Sequence, residues 1–252
     1  MNVAVIVQAR MGSTRLPGKT MMDLDGRPVV WHVFDRVKQS KLINQILLAT
    51  TTNSEDDILE SWAKENNVNC FRGSVDDVLD RYYQAALILQ AEVVVRVTGD
   101  CPLIDAEVID RVIKYYLDNK FDYCSNINPA TFPDGLDVEV FSFVALEKAW
   151  KEATLKSERE HVTPFIWKQP DLFKIGLVKN EVDFSGDRWT LDTANDFEFI
   201  KLIMGEIKNR QLKGNMQEVL AILADNPEWT SINNNSQRNE GYAKSIKEDG
   251  NI

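Results

Sequence analysis

Five apolar residues, Val3–Val7, run straight into a polar, glycine-containing loop, and helical spacing resumes at Pro28–Lys38. A short β-branched run of this kind marks a strand buried on both faces. The motif then recurs. Ile46–Thr50 reads as a second strand, and Asn53 or Ser54 suits the N-cap of a helix running to about Asn66. Glu55, Asp56 and Asp57 would lie at the positive end of that helix dipole. Val68–Phe71 is another short strand, and Ser74 suits the cap of a helix over 75–90 with Val78, Leu79, Tyr82, Ala86 and Leu89 on its apolar face. Glu92–Val97 and Asp105–Asn119 continue the alternation, which predicts an α/β fold with a mainly parallel sheet.

Beyond about residue 125 the pattern loosens. Leu136–Phe141 alternates and reads as a half-buried, antiparallel strand; Leu172–Val178 and Arg188–Leu191 read as two more. Helices are expected over 194–210 and near Met216–Ala224. From Ser231 the chain is polar and Asn-rich, the composition of a mobile terminus. Without repeats or a linker, 252 residues suit one domain over 1–230 with a polar tail over 231–252.

Charge narrows the function. The net charge is −10, which excludes a broad basic surface for nucleic acid or anionic membranes. The distribution is uneven: residues 1–41 hold seven Lys or Arg against three Asp, a balance of +4, and the rest carries −14. Cys70, Cys101 and Cys124 are odd in number and far apart, as expected of reduced thiols in a cytoplasmic protein without a zinc site. No apolar run approaches the roughly 20 residues of a membrane helix, and the N-terminal run is too short for a signal peptide.

The loop Gln8–Lys19 concentrates this charge. It carries Arg10, Arg15 and Lys19, and no acid lies between Asn2 and Asp23. Gly12 and Ser13 let backbone N–H groups approach an oxyanion, while forked Arg donors and a compact Lys charge suit a polyphosphate. Ligands of open α/β sheets bind outside the carboxyl ends of strands, where this loop would lie. A merely solvated basic loop is the competing reading. A Walker A loop is excluded, because five residues separate Gly12 from Gly18 and Pro17 stiffens the segment.

Two carboxylates stand at similar positions. An apolar strand ending in Thr98-Gly99-Asp100-Cys101-Pro102 puts Asp100 at the sheet edge, where it is a ligand, a turn residue or the cap of the next helix. In Thr190-Leu-Asp-Thr-Ala-Asn-Asp196, Asp192 or Thr193 suits a helix N-cap, with Asp196 in the first turn.

The string QARMGSTRLPGK resembles the N-terminal signature of sugar nucleotidyltransferases with a glycosyltransferase-A-like (Rossmann-like) fold. It is most similar to SpsF-type spore-coat polysaccharide cytidylyltransferases, and more distantly to those that activate 3-deoxy-manno-octulosonate and acylneuraminates. The segments FRGSVDDVLDRYYQAA, RVTGDCPLID, PDGLDVEVF, REHVTPFIW, WTLDTANDFEFI and RNEGYAKS extend the resemblance along most of the chain. It implies a CTP-dependent transfer to a sugar, sugar acid or phosphate/phosphonate acceptor, with pyrophosphate released. It also implies Mg²⁺ held by Asp100 and Asp192, two hard oxygen donors. Lys19, Arg10, Arg15 and Asp100 would be catalytic. Gln8, Ala9, Gly12, Ser13, Arg72, Gly73 and Ser74 would bind the nucleotide, with Ser74 reading cytosine, capping a helix, or both.

Asp137 and Glu139 share one face of their strand and would bind acceptor hydroxyls or an amine, unless that face is simply solvated. Arg159 and His161 are candidates for an anionic acceptor, although a lone histidine is more often structural, and His32 on the first helix is read that way. Asp76, Asp77 and Asp80 are explained by helix spacing without a metal. The tail string Arg238–Tyr242 would dock on the protein or on a second subunit of a homodimer. A glycosyltransferase of the same fold needs a D-x-D pair that Gly99-Asp100-Cys101-Pro102 lacks, and a non-catalytic nucleotide-binding protein has no need of Lys19, Asp100 and Asp192 together.

Overall fold

The computed structural model describes residues 1–234 and 238–250. Its strands are β1 (Val3–Gln8), a two-residue hairpin of β2 (Asp23–Leu24) and β3 (Arg27–Pro28), β4 (Gln45–Thr51), β5 (Asn69–Gly73), β6 (Val93–Thr98), β7 (Tyr123–Ser125), β8 (Glu139–Ser142) and β9 (Ile175–Leu177). Seven of them form one sheet in the order β5-β4-β1-β6-β8-β7-β9. Only β8 runs against its neighbours. The sheet is therefore mixed and mainly parallel.

Helices α1 (Val29–Val37), α2 (Asp57–Glu65), α3 (Val78–Ile88), α4 (Ala106–Asn119), α5 (Phe143–Glu152), α6 (Lys156–His161), α7 (Pro164–Trp167), α8 (Ala194–Asn209), α9 (Met216–Asp225) and α10 (Glu240–Asp249) surround it. Strand alternation divides the core in two. Val3, Val5 and Val7 pack with Val33, Ile109, Ile203 and Val219 of α1, α4, α8 and α9. Ala4 and Ile6 face Leu79, Tyr82, Leu146 and Ile166 of α3, α5 and α7 on the other side. Burial on both faces is what the continuous apolar run of β1 requires.

The chain moves outward from β1 to β4 and β5, then crosses back to β6 on the other side of β1. Gln8 and Thr98 end up side by side in register. That reversal is a topological switch point, and the crevice outside it is where α/β sheets bind ligands.

Several local expectations shift. Ser74 does not cap α3: its Oγ accepts from Asp77 N, and Asp77 is the cap, accepting from Asp80 N at 2.9 Å. Asn53 makes no side-chain cap bond. Arg188–Leu191 is no strand and makes a single bridge, Asp134 to Arg188. Strand β7 and the short helices α6 and α7 are too brief to show a sequence period, and α5 is an addition to the helices expected from the sequence. The polar tail is helical over Glu240–Asp249 and packs on α6, where composition gave a mobile terminus. Within that tail, 235–237 and 251–252 lie outside the described residues. Among the described residues no helix is long and apolar enough to cross a membrane.

Candidate active site

The loop after β1 is held from below. Met11 N donates to Asp56 Oδ1 at 2.7 Å, and the same buried carboxylate accepts from Thr51 N and Thr51 Oγ1. Ala9 N donates to Ala49 O, and Gly18 N closes back onto Met11 O at 3.0 Å. Gly18 adopts φ 73°, a left-handed conformation that turns the chain so that Lys19 enters the protein. Within the loop, Ser13 Oγ accepts from Leu16 N, and the Glu55 carboxylate lies over Gly12.

Lys19 is the centre of the site. It is 8% exposed, and its ammonium donates to Asp100 Oδ2 at 2.7 Å, Asp192 Oδ1 at 2.8 Å and Leu191 O at 2.8 Å. Two carboxylates 92 positions apart in sequence thus meet on one cation. Asp100 is delivered by the end of β6. A Cβ on Gly99 would lie 2.7 Å from Ala9 Cβ and 3.0 Å from Gln8 O, so only glycine lets β6 end against the loop. Leu191 N donates to Asp100 O at 2.9 Å, tying the two acidic segments together. Burial alone would raise the Asp100 carboxyl; Lys19 reverses this and lowers it to about 2. Burial likewise opposes the charge on Lys19, and the two carboxylates overcome it, raising its pKa.

Asp192 has a second layer of support. Arg188 donates to Asp192 Oδ2, Asp134 Oδ2 and Asp196 Oδ1, each at 2.9 Å. Asp196 is fully buried and accepts from Asp192 N and Thr193 N while forming a capping box with Thr193, which is the cap of α8. Arg15 reaches Asp192 Oδ2 at 2.9 Å and Glu240 at 2.7 Å. Arg10 is exposed, and among the described residues no carboxylate pairs with it.

The lateral residues are placed differently from expectation. Arg72 points into protein partners: it donates to Thr51 O and Asn53 O and pairs with Asp57 and Glu60. Gly73 O accepts from Thr52 N, and Arg81 grips Ser74 O, so this loop is fixed by backbone contacts. Gln8 accepts from Arg96 Nε at 3.2 Å. Glu139 is neither solvated nor facing a cleft. It is 2% exposed, paired with Arg96, and accepts from Tyr123 and Thr163 hydroxyls.

Arg159 is held by Asp77 and Trp150 O. His161 lies 3.0 Å from Ser245 Oγ, and its pKa is lowered by burial and by Arg96, so it stays neutral. Asp137 pairs with Arg238. Burial pushes Asp137 up to about 7, against the pull of Arg238.

Asp100 and Asp192, sharing one cation, form a hard oxygen pair suited to a divalent ion. Among the described residues no group of three or more His, Cys, Asp or Glu could hold a metal. A two-carboxylate site that leaves other positions to phosphate oxygens and waters matches the habit of Mg²⁺.

A profile of the family described as cytidylyltransferase matches residues 4–227. The chain belongs to the cytidylyltransferase family. This cytidylyltransferase is 41% identical to an uncharacterized protein of Methanocaldococcus jannaschii, over 93% of this chain and 96% of the relative. It is 31% identical to the spore coat polysaccharide biosynthesis protein SpsF of Bacillus subtilis, over 90% and 96% respectively. A solved cytidylyltransferase structure from Leptospira borgpetersenii superposes with a TM-score of 0.86 at 35% identity, covering 94% of this chain and 99% of that one. Family membership makes the protein a nucleotidyltransferase, and the fold is the nucleotidyltransferase type.

Sequence reasoning missed four residues of this cytidylyltransferase's site: Asp56, Arg96, Arg188 and Arg238. Their partners lie between four and 101 positions away, and apart from the resemblance of the tail string at Arg238 nothing local singles them out. Only the capping pattern Thr193–Asp196 signalled part of the Arg188 cluster.

Proposed function

We propose that this cytidylyltransferase moves the cytidylyl group of CTP to an oxygen of a small-molecule acceptor, a sugar, sugar acid or phosphate/phosphonate, for surface polysaccharide synthesis. The observation that carries the reading is the Lys19 ammonium between Asp100 and Asp192, directly beneath a basic loop at the sheet's switch point. The SpsF relative supports the polysaccharide setting.

In the reaction an acceptor oxygen forms a bond to the α-phosphorus of CTP. The bond from that phosphorus to the bridging oxygen breaks, and pyrophosphate leaves with the electron pair. The step depends on positioning and charge neutralisation rather than covalent help. Arg10, exposed on the loop, is placed to meet the triphosphate first. Lys19 and Arg15 exchange carboxylate partners for phosphate oxygens. Asp100 and Asp192, released from Lys19, would hold Mg²⁺, which when bound orients the α-phosphate and offsets the departing charge. Arg188 keeps Asp192 in place throughout. An attacking oxygen that is already anionic, as in a phosphate or phosphonate, needs no general base, whereas a sugar hydroxyl would give up its proton to water as the bond to phosphorus forms; His161 is engaged with Ser245.

The test is pyrophosphate release from each of four nucleoside triphosphates against a panel of sugars, sugar acids, sugar phosphates and phosphonates. Release with CTP is expected, and Asp100→Asn should lower it by about a hundredfold or more. Release with UTP or GTP but not CTP would sink the assignment. Nucleotide-sugar turnover without pyrophosphate would favour a glycosyltransferase.

A further inference from the structure

Three residues that the sequence assigned to the substrate site, on three separate elements, each take a partner from one segment at the C-terminus. Arg15 of the phosphate loop pairs with Glu240 at 2.7 Å. Asp137, just before β8, pairs with Arg238, whose guanidinium also donates to Phe132 O. His161 of α6 meets Ser245 Oγ at 3.0 Å. The segment lies beyond the residues matched by the family profile, which ends at 227. Resting on the reading of the cleft as a CTP site, we propose that residues 238–250 form a strap across this cleft that competes with the triphosphate for Arg15.

The charges are complementary to those of the site. Glu240 offers Arg15 a carboxylate where the triphosphate would offer phosphate oxygens, and Arg238 neutralises an acidic residue on the opposite side. A triphosphate beside Glu240 would face like-charge repulsion and would take the Arg15 fork for itself. The strap and the nucleotide therefore exclude each other at this residue.

The anchoring of the strap fits a part that can let go. Of helix α10, only Ser245 is buried. Its hold on α6 includes the Lys156–Glu248 pair, the bond from Ser157 N to Asp249, and Ser245 shared between His161 and Glu160. Tyr242 adds ring contacts with His161 and Trp167. Apart from buried Ser245 and the Tyr242 ring, these attachments are polar and partly exposed, and segments held in this way open locally without global unfolding. The Arg15–Glu240 pair is itself exposed on both sides, so its loss is a modest effect on the protein and a direct one on Arg15.

The experiment is calorimetric titration of the full chain with CTP in Mg²⁺ buffer, for the wild type, Glu240→Gln and Glu248→Gln. Glu240→Gln should bind CTP about two- to fivefold more tightly, the range of an exposed ion pair. Glu248→Gln should shift affinity the same way, because Glu248 anchors the strap through Lys156 rather than touching the loop; local removal of a charge beside Arg15 would not be reproduced there. Hydrogen exchange should show α10 losing protection when CTP binds. CTP binding with equal or lower affinity in both variants, or α10 protection unchanged or raised by CTP, overturns the strap while leaving the site assignment intact. Binding of CTP to none of the three proteins removes the site assignment and the strap with it.

Discussion

Replacing Lys19 by Met keeps most of the stem's volume and deletes the ammonium that three oxygens share. Asp192 retains Arg15 and Arg188 after the change, so the loss falls mainly on Asp100. That carboxyl is held near 2 against an ordinary 3.8, chiefly by Lys19 overcoming burial. That depression corresponds to about 2 kcal/mol and is a lower bound on what Lys19 contributes, because burial alone would hold the carboxyl above 3.8. Removal of one partner from a fully buried pair costs about 3–5 kcal/mol, and the partial exposure of Asp100 keeps this site below that range. Lys19→Met should therefore lose about 2–3 kcal/mol at pH 7. The acid side gives a second signature. A depressed folded-state pKa contributes stability that is complete above 3.8 and disappears as pH falls towards 2. The variant lacks that contribution, and its Asp100 carboxyl, raised by burial, takes up its proton above 3.8, so its deficit should begin to shrink above pH 3.8 and go on shrinking towards pH 2. Urea unfolding at a series of pH values measures both, and millimolar Mg²⁺ should restore part of the loss only in the variant. A deficit under about 1 kcal/mol, or one that does not change towards pH 2, would refute the shared-cation account.

Other perturbations test the supports. Gly135→Ala should cost about 1–3 kcal/mol in urea unfolding, because φ is 112° and the new Cβ would lie 2.7 Å from the backbone of Trp189 and Thr190. Asp196→Ala should cost about 3 kcal/mol or more and weaken Mg²⁺-dependent turnover, since it strips a partner from Arg188 and the capping box from α8; a stable, fully active variant would contradict that role. All three thiols should react slowly with Ellman's reagent at pH 7.5 in the native protein and rapidly in urea. Burial raises Cys70 to about 11 and Cys124 to about 12, and Cys101 well above the usual value.

What the sequence made legible is what local chemistry encodes. β1, β4, β5 and β6 announce themselves by apolar runs with helical spacing between them, because each must bury both faces of a strand or one stripe of a helix. The loop Gln8–Lys19 and the strand end at Asp100 were legible for the same reason: charge and glycine concentrate at a strand's carboxyl end. Charged residues beyond that stretch were ambiguous, because their pairing is tertiary. Arg159 looks like an anion ligand until Asp77, 82 positions away, neutralises it. Glu139 alternates as an exposed residue should, yet the sheet continues past β8 and α6–α7 cover it, so Arg96 and two hydroxyls take its charge. Ser74 and Asp77 are both good caps, and only the path of the chain from β5 chooses between them.

The uneven charge of the sequence now has a structural cause. A +4 segment inserted into a chain of −10 does not leave a basic surface, because the acids of later segments fold back onto it. Lys19 is spent on Asp100 and Asp192, and Arg15 on Asp192 and Glu240, so of the three cations in the loop Arg10 alone stays exposed without a carboxylate partner among the described residues. On the proposed reading, triphosphate binding would be an exchange of anions around fixed cations rather than a simple attraction. Each carboxylate displaced from Lys19 would become an oxygen donor, so the event that seats the phosphates would also free the pair for a divalent ion. Nucleotide and metal affinities should consequently be coupled, each raising the other by the same factor. Titrating CTP at fixed Mg²⁺ concentrations measures that factor directly. Independence of the two affinities would mean that Lys19 never leaves its carboxylates.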